Sequence, residues 1–263
     1  MMSEAGHAPK KVKSASRALD IVDLVAERGN VTFQDVVDSG LPKSSAYSLL
    51  ATLVESGWLE HSPDTRRYRL GLHAWQIGQA YDGHQLLLEA SQEIMDDVVA
   101  QVGETVQLAR LEGIENVYIA IRLSPKPIRM ASSVGMRLHA HATGIGKALL
   151  STLDPREARH RLDSVALPNL TENTVTDVDE LMRVVSRSRD LGFAVDNEEF
   201  IEGCRCVAVP VTTEAETGVC AALSITMPTS RTDDRWPHSM YPVLRDGANR
   251  IRRAMGLTGS LSP

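Results

Sequence analysis

Cysteine is scarce in this chain. The three residues present, Cys204, Cys206 and Cys220, are too few and too clustered for a disulfide framework, which fits a reducing compartment. Long apolar runs are also missing. No stretch approaches the ~18 apolar residues of a membrane span, and the opening MMSEAGHAPKKVK lacks the apolar core of a secretory leader. The expectation is a cytoplasmic protein with no membrane partner. Internal repeats and low-complexity stretches are absent too. So is a surplus of positive charge: 28 Lys and Arg stand against 34 Asp and Glu, a net charge of -6. The distribution says more than the sum. Residues 1–75 carry nine basic residues and nine acidic ones, so the negative excess lies beyond them. Within that first part the basic residues are grouped, as an arm at Lys10–Arg17 and a patch at Arg66–Arg69.

With 263 residues, 43% of them hydrophobic, the chain can build two compact domains, each with a core. Residues 16–29, SRALDIVDLVAERG, predict a helix with Ser16 as a cap, Ala18, Ile21, Val22 and Val25 on one face and Gly29 at its end. A second short helix is expected from Thr32 to Ser39, where Thr32 and Asp35 have the spacing of a capping box. After the break at Gly40-Leu41-Pro42, a third helix starts at Lys43 or Ser44, with Ala46, Leu49, Leu50, Leu53 and Val54 as its inner stripe. Its outer face, from Lys43 through Ser44, Ser45, Tyr47 and Ser48 to Thr52, is small, polar and free of acid until Glu55. Such a face suits a major groove. Residues 58–61 and 66–70 predict two strands around a Ser62–Thr65 turn, a hairpin that carries Arg66 and Arg67 beside the third helix. Three helices and a basic hairpin in this order describe a winged helix-turn-helix over residues 14–71. The competing reading is a small helical protein-interaction module with a solvated polar face.

Residues 72–85 are helix-compatible but interrupted by Gly78 and Gly83, and are expected to link two domains that can take different relative positions. Leu86–Val102 predicts a firmer helix. Strand signals follow at Thr105–Leu111, Asn116–Ile121, Arg129–Ser132, Phe193–Asn197, Cys204–Val211 and Val219–Thr226, with helices at Gly146–Thr152, Pro155–Arg161, Asp177–Gly192 and Tyr241–Met255. Residues 86–256 therefore predict an α+β domain of a size common for one sensing module.

The segment LPKSSAYSLLATLVESGWLE followed by RRYRLG resembles the DNA-binding domain of the IclR family of bacterial transcription regulators. So do two later stretches: Gly135–Leu150, GMRLHAHATGIGKALL, and Gly192–Glu199, GFAVDNEE, running on to Gly203–Val211, GCRCVAVPV. Departures fall at Ser45 and Ser48, where members commonly carry Thr and Arg, at Thr212-Thr213, and at Thr226, where Ser is frequent. The resemblance runs from about residue 14 to 256. It implies a GAF-like effector-binding domain, homodimers through the DNA-binding domains and often dimers of dimers. It places pocket residues at Gly144, Ile145, Asp196, Cys206, Ser224 and Thr226, with Met130 and Leu138 as apolar walls. The function it implies is a ligand-responsive regulator that binds a double-stranded DNA operator, with a repressor of a catabolic operon as the expected form. The effector would be a small organic acid or a polar aromatic.

Other chemistry fits the residues less well. Gly144-Ile145-Gly146-Lys147-Ala148 is not a phosphate loop, because His141 stands where a glycine is needed and Ala148 where Ser or Thr must follow the lysine. His139, His141, Cys204 and Cys206 match no standard zinc spacing, and no cofactor or metal is expected. An enzyme fused to a helix-turn-helix would need Cys206 as nucleophile, yet its neighbours Val207, Ala208 and Val209 predict a buried strand cysteine and a poor thiolate. The same neighbours suit inert packing or the wall of a pocket. Asp196 is awkward beside an anionic ligand unless burial leaves it protonated, or the ligand offers a hydroxyl or amine.

Overall fold

The computed structural model describes residues 12–80 and 84–258. The chain divides into two compact units, one up to Gly83 and one from His84 onward. Lys10 and Lys11 of the expected basic arm, and the Gly83 interruption, lie outside the described residues.

In the first unit, α1 spans Lys13–Arg28 and stops at Gly29, whose φ of 73° no β-carbon residue takes easily. The expected cap at Ser16 is not there. The helix begins three residues earlier, and the Ser16 amide donates to the Val12 carbonyl inside the first turn. A two-residue strand that the periodicity did not announce, β1 (Val31–Thr32), precedes α2 (Phe33–Asp38). The capping box between them is real: the Asp35 amide donates to Thr32 Oγ1 at 3.2 Å and the Thr32 amide donates to Asp35 Oδ2 at 2.7 Å. Those bonds to its charged form hold the Asp35 carboxyl below its ordinary range. Helix α3 (Lys43–Glu55) follows Pro42. Strands β2 (Leu59–Ser62) and β3 (Arg67–Leu70) then complete a three-stranded antiparallel sheet in the order β1-β3-β2. Ile21, Val25, Val31, Val36, Ala46, Leu50, Leu53 and Leu59 close one core. Helix α4 (Leu72–Gln79) ends this unit, leaving Leu72 and Trp75 each 62% exposed.

The second unit opens with α5 (Gln85–Val102), closed by Gly103. A six-stranded antiparallel sheet follows: β4 (Thr105–Glu112), β5 (Glu115–Arg122), β6 (Arg137–His139), β7 (Ala194–Asn197), β8 (Cys204–Thr212) and β9 (Ala221–Pro228). Their spatial order is β6-β5-β4-β9-β8-β7. The helices are α6 (Gly144–Leu150), α7 (Pro155–Asp163), α8 (Val178–Leu191), a short α9 (Glu214–Thr217) and α10 (Tyr241–Ala254).

Strand alternation sorts the side chains onto two faces. Val106, Leu108, Val207, Val209, Leu223 and Ile225 pack with α5 and α10 in one core. Ala109, Tyr118, Leu138, Ala208 and Ala222 pack with α6, α7 and α8 in a second core on the other face. The strand expected at Arg129–Ser132 is not formed. Residues 123–136 are irregular, and the place beside β5 is taken by Arg137–His139, where Leu138 pairs with Asn116 and turns its side chain into the second core.

Candidate functional site

Two places concentrate the candidate residues, one in each unit. On α3, Lys43, Ser44, Tyr47 and Ser48 are exposed, Tyr47 to 72%, while Ala46, Leu50 and Leu53 turn inward. Ser45 does not share that outer face fully; it is half-buried at its side. The Ser48 hydroxyl donates back to the Ser44 carbonyl at 3.1 Å, and Thr52 donates to the Ser48 carbonyl at 3.0 Å. Both hydroxyls therefore present lone pairs outward. In the hairpin, Arg66 is exposed at a φ of 53° and Arg67 is exposed while donating to the Asn30 carbonyl at 3.5 Å. Arg69, counted in the same basic patch, is tied to Glu60 at 2.7 Å across the ladder, so its charge is largely neutralised locally. Among the described residues of α3 and the hairpin, Lys43, Arg66 and Arg67 make no ion pair and can meet an anionic partner.

In the second unit the sheet register assembles the other cluster. Asp196 pairs with Cys206, and Cys206 pairs with Thr226, on three adjacent strands. Ser224 lies two residues along β9, opposite Gln107 on β4. All these side chains except Gln107 were singled out in the sequence. Gln107 was missed, and it joins them: its Oε1 accepts from Ser224 Oγ and from Thr226 Oγ1, both at 3.0 Å. Its Nε2 is buried with no hydrogen-bond partner among the described residues. The signal was a glutamine between Val106 and Leu108 in an otherwise buried strand, a polar residue where packing alone would place an apolar one.

Helix α6 caps this cluster. Thr143 caps the helix by accepting from the Gly146 amide at 3.1 Å and is itself held by Asn116, to whose Oδ1 it donates at 2.7 Å. The amides of Gly144 and Ile145 precede the first helical hydrogen bond. Gly146 has to be glycine, because a β-carbon there would lie 2.2 Å from the Ala140 Cα. Ile145 and Leu138 are buried in the apolar wall. Met130 is half-buried in the irregular segment and is not part of that wall; Met136 packs against it instead. Tyr118, also missed, is buried near the polar cluster, and its phenol is pushed up by burial and by the neighbouring Cys206, Cys204 and Asp196.

Burial dominates the electrostatics. It pushes the Asp196 carboxyl up to about 7, against the nearby Lys147 charge and two backbone donors: the Glu199 amide at 2.7 Å and the Phe200 amide at 3.4 Å, both on Oδ1. It pushes the Cys206 thiol up to about 12, with Asp196 adding to the effect. The cysteine is therefore held as a thiol, and the nucleophile role finds no support. All three cysteines are free. Among the described residues, no three His, Cys, Asp or Glu side chains come together as a metal site. His141 packs in the protein with Nε2 3.0 Å from the Pro168 carbonyl, and burial lowers its pKa. No described helix is long and apolar enough to cross a membrane.

Residues 79–253 match the bacterial transcriptional regulator IclR C-terminal domain, and residues 14–63 match the IclR helix-turn-helix domain. The chain belongs to the IclR family. Among its relatives, the HTH-type transcriptional regulator XynR of Escherichia coli K12 is 34% identical over 93% of this chain and 98% of that protein. The HTH-type transcriptional repressor AllR of Salmonella typhi is 32% identical over 95% of this chain and 92% of that protein. The crystal structure of Thermotoga maritima IclR superposes with a TM-score of 0.71 at 27% identity, covering 93% of this chain and 99% of that one. An IclR homologue from Microbacterium hydrocarbonoxydans, crystallised with 4-hydroxybenzoate, gives 0.78 at 26% identity, over 92% and 99%. An IclR-type chain with this helix-turn-helix is a DNA-binding transcriptional regulator, and the α+β unit behind it is the family's effector domain.

Proposed function

We propose that this IclR-type regulator is a ligand-controlled repressor whose effector is a compact organic acid or hydroxylated aromatic acid bound between α6 and the β7-β8-β9-β4 face. One observation carries this reading: the buried amide of Gln107, bonded at one end to Ser224 and Thr226 and unpaired at the other. An unpaired buried donor costs roughly 1–3 kcal/mol, a cost that a ligand oxygen removes. Turning the amide over would offer a carbonyl instead, so Gln107 can match either end of a polar ligand. Asp196, with its carboxyl near 7, is partly protonated at neutral pH and tolerates a ligand carboxylate. Above that range it serves better as acceptor for a ligand hydroxyl. Cys206 and Ile145 exclude water. 4-Hydroxybenzoate, present in the Microbacterium structure, has the combination required, one carboxylate, one hydroxyl and one ring.

On the DNA side, Lys43, Arg66 and Arg67 would hold phosphates, while Tyr47, Ser44 and Ser48 reach base edges and Ser45 supports them from the side. One such helix reads only a few base pairs, so two half-sites and a symmetric dimer, or a dimer of dimers, belong to the proposal. The exposed Leu72, Trp75 and Ile77 of α4 support a covered face on this unit. The test is a gel shift on DNA selected by the protein itself, with and without 4-hydroxybenzoate and a panel of short hydroxy and keto acids. A change in DNA affinity that disappears in Gln107→Leu supports the reading. A Gln107→Leu protein with an unaltered response overturns the assigned site.

A further inference from the structure

A second cleft lies on the other side of β7. It has a volume of about 470 Å³, within the range of small-molecule sites. Its walls are Val175, Val184, Leu191, Phe193, Val195 and Pro237. β7 is the edge strand of the sheet, so alternation sends Asp196 to the first site and Val195 to this cleft.

The polar groups of the cleft are unevenly placed. At the floor, Lys147 Nζ binds both carboxylate oxygens of Glu199 at 2.5 Å, with the lysine side chain only 1% exposed. The two charges neutralise each other, so the floor offers no net charge. Arg187 of α8 and His238, which meets Phe193 edge-on at 5.8 Å, also line the cleft. Both rim side chains are exposed, and Arg187 has no ion-pair or hydrogen-bond partner among the described residues. A neutral, largely apolar interior under an unpaired guanidinium favours a ligand with an apolar body and one anionic end.

We propose that this cleft is a second small-molecule site, for a monocarboxylate with an apolar or aromatic body, its carboxylate at Arg187 and its body between α8 and Phe193. The two sites are joined by a chain of bonded groups. Glu199, which holds Lys147 at the cleft floor, also donates its amide to Asp196 of the first site at 2.7 Å. Lys147 in turn lies on α6, whose first residue, Gly144, packs against Cys206.

The test uses the full chain and 4-fluorobenzoate, followed by fluorine NMR. Three variants separate the sites. Cys206→Leu blocks the first site, Val184→Trp fills the cleft, and Arg187→Glu reverses the rim charge at an exposed position without an ion pair. The expected result is saturable binding that survives in Cys206→Leu, weakens by about tenfold or more in Arg187→Glu, and is lost in Val184→Trp. Binding that is lost in Cys206→Leu and unaffected by Arg187→Glu would overturn the proposal, as would no binding up to about 10 mM. Because this readout needs no DNA, its failure is distinct from a failure of the ligand-controlled repressor reading.

Discussion

Gly144 sits over Cys206 so closely that a β-carbon on the glycine would lie 3.2 Å from the cysteine Sγ and 3.1 Å from the Asp196 amide. The opening of α6 and the β7-β8 pair are therefore in close contact at this point and together form one wall of the space assigned to the effector. Any side chain grown from Cys206 must enter the space assigned to the effector. Cys206→Leu is expected to abolish the effector response and leave DNA affinity near wild type. Gel shifts on the variant check this; a folded variant with the wild-type dose response would place the effector elsewhere.

Arg66 and Arg67 are expected to act through phosphates. Replacing both with Ala should weaken binding to every DNA sequence and lower the slope of log affinity against log salt by about 2, since each lost contact releases about one counterion fewer. Tyr47→Ala should instead change the preference among sites with little change in the slope. Fluorescence anisotropy at several salt concentrations distinguishes the two. An unchanged slope in the arginine variant would remove the hairpin from the DNA interface.

The carboxyl of Asp196 gives a signed pH dependence. Its folded pKa, near 7, lies above its ordinary value, so the folded protein binds that proton more tightly than the unfolded chain does. Its contribution to stability is full below about pH 4 and is lost as pH rises through 7, at no more than about 1.4 kcal/mol per pH unit. Asp196→Asn keeps an Oδ1 acceptor for the Glu199 and Phe200 amides but cannot ionise. Chemical denaturation at pH 5.5 and pH 8 should show the variant gaining on wild type at the higher pH. A stability difference independent of pH would mean that Asp196 does not titrate in this range.

Much of this was legible beforehand, for reasons that particular residues show. Thr32 and Asp35 announce their helix because capping is local, and the inner stripe of α3 follows from its 3.6 period. Cys206 and Asp196 are adjacent in space only through strand register, which no local pattern encodes; they were placed by resemblance. Ser16 was misplaced as a cap because Val12 opens α1 without any side-chain bond, so no polar signal marks the start. The absent strand at 129–132 shows the opposite error, since a plausible segment lost its place beside β5 to Arg137–His139. Gln107 and Tyr118 escaped because their importance lies in what faces them across the sheet. Gln107→Leu should weaken an oxygen-bearing effector by about tenfold or more while Ser224 and Thr226 remain free to bond each other or the ligand. Calorimetric titration of the effector against this variant checks the claim, and unchanged affinity would contradict it.

The most direct measurement is the affinity of the full chain for its selected operator, titrated with hydroxybenzoates and short organic acids, in wild type and in Cys206→Leu. The expected result is at least one acid that shifts wild-type DNA affinity by ~5–150-fold, is recovered unconverted, and leaves Cys206→Leu unmoved. An acid that binds the chain saturably at the Cys206 site without changing DNA affinity, or that is consumed in the process, would contradict the account.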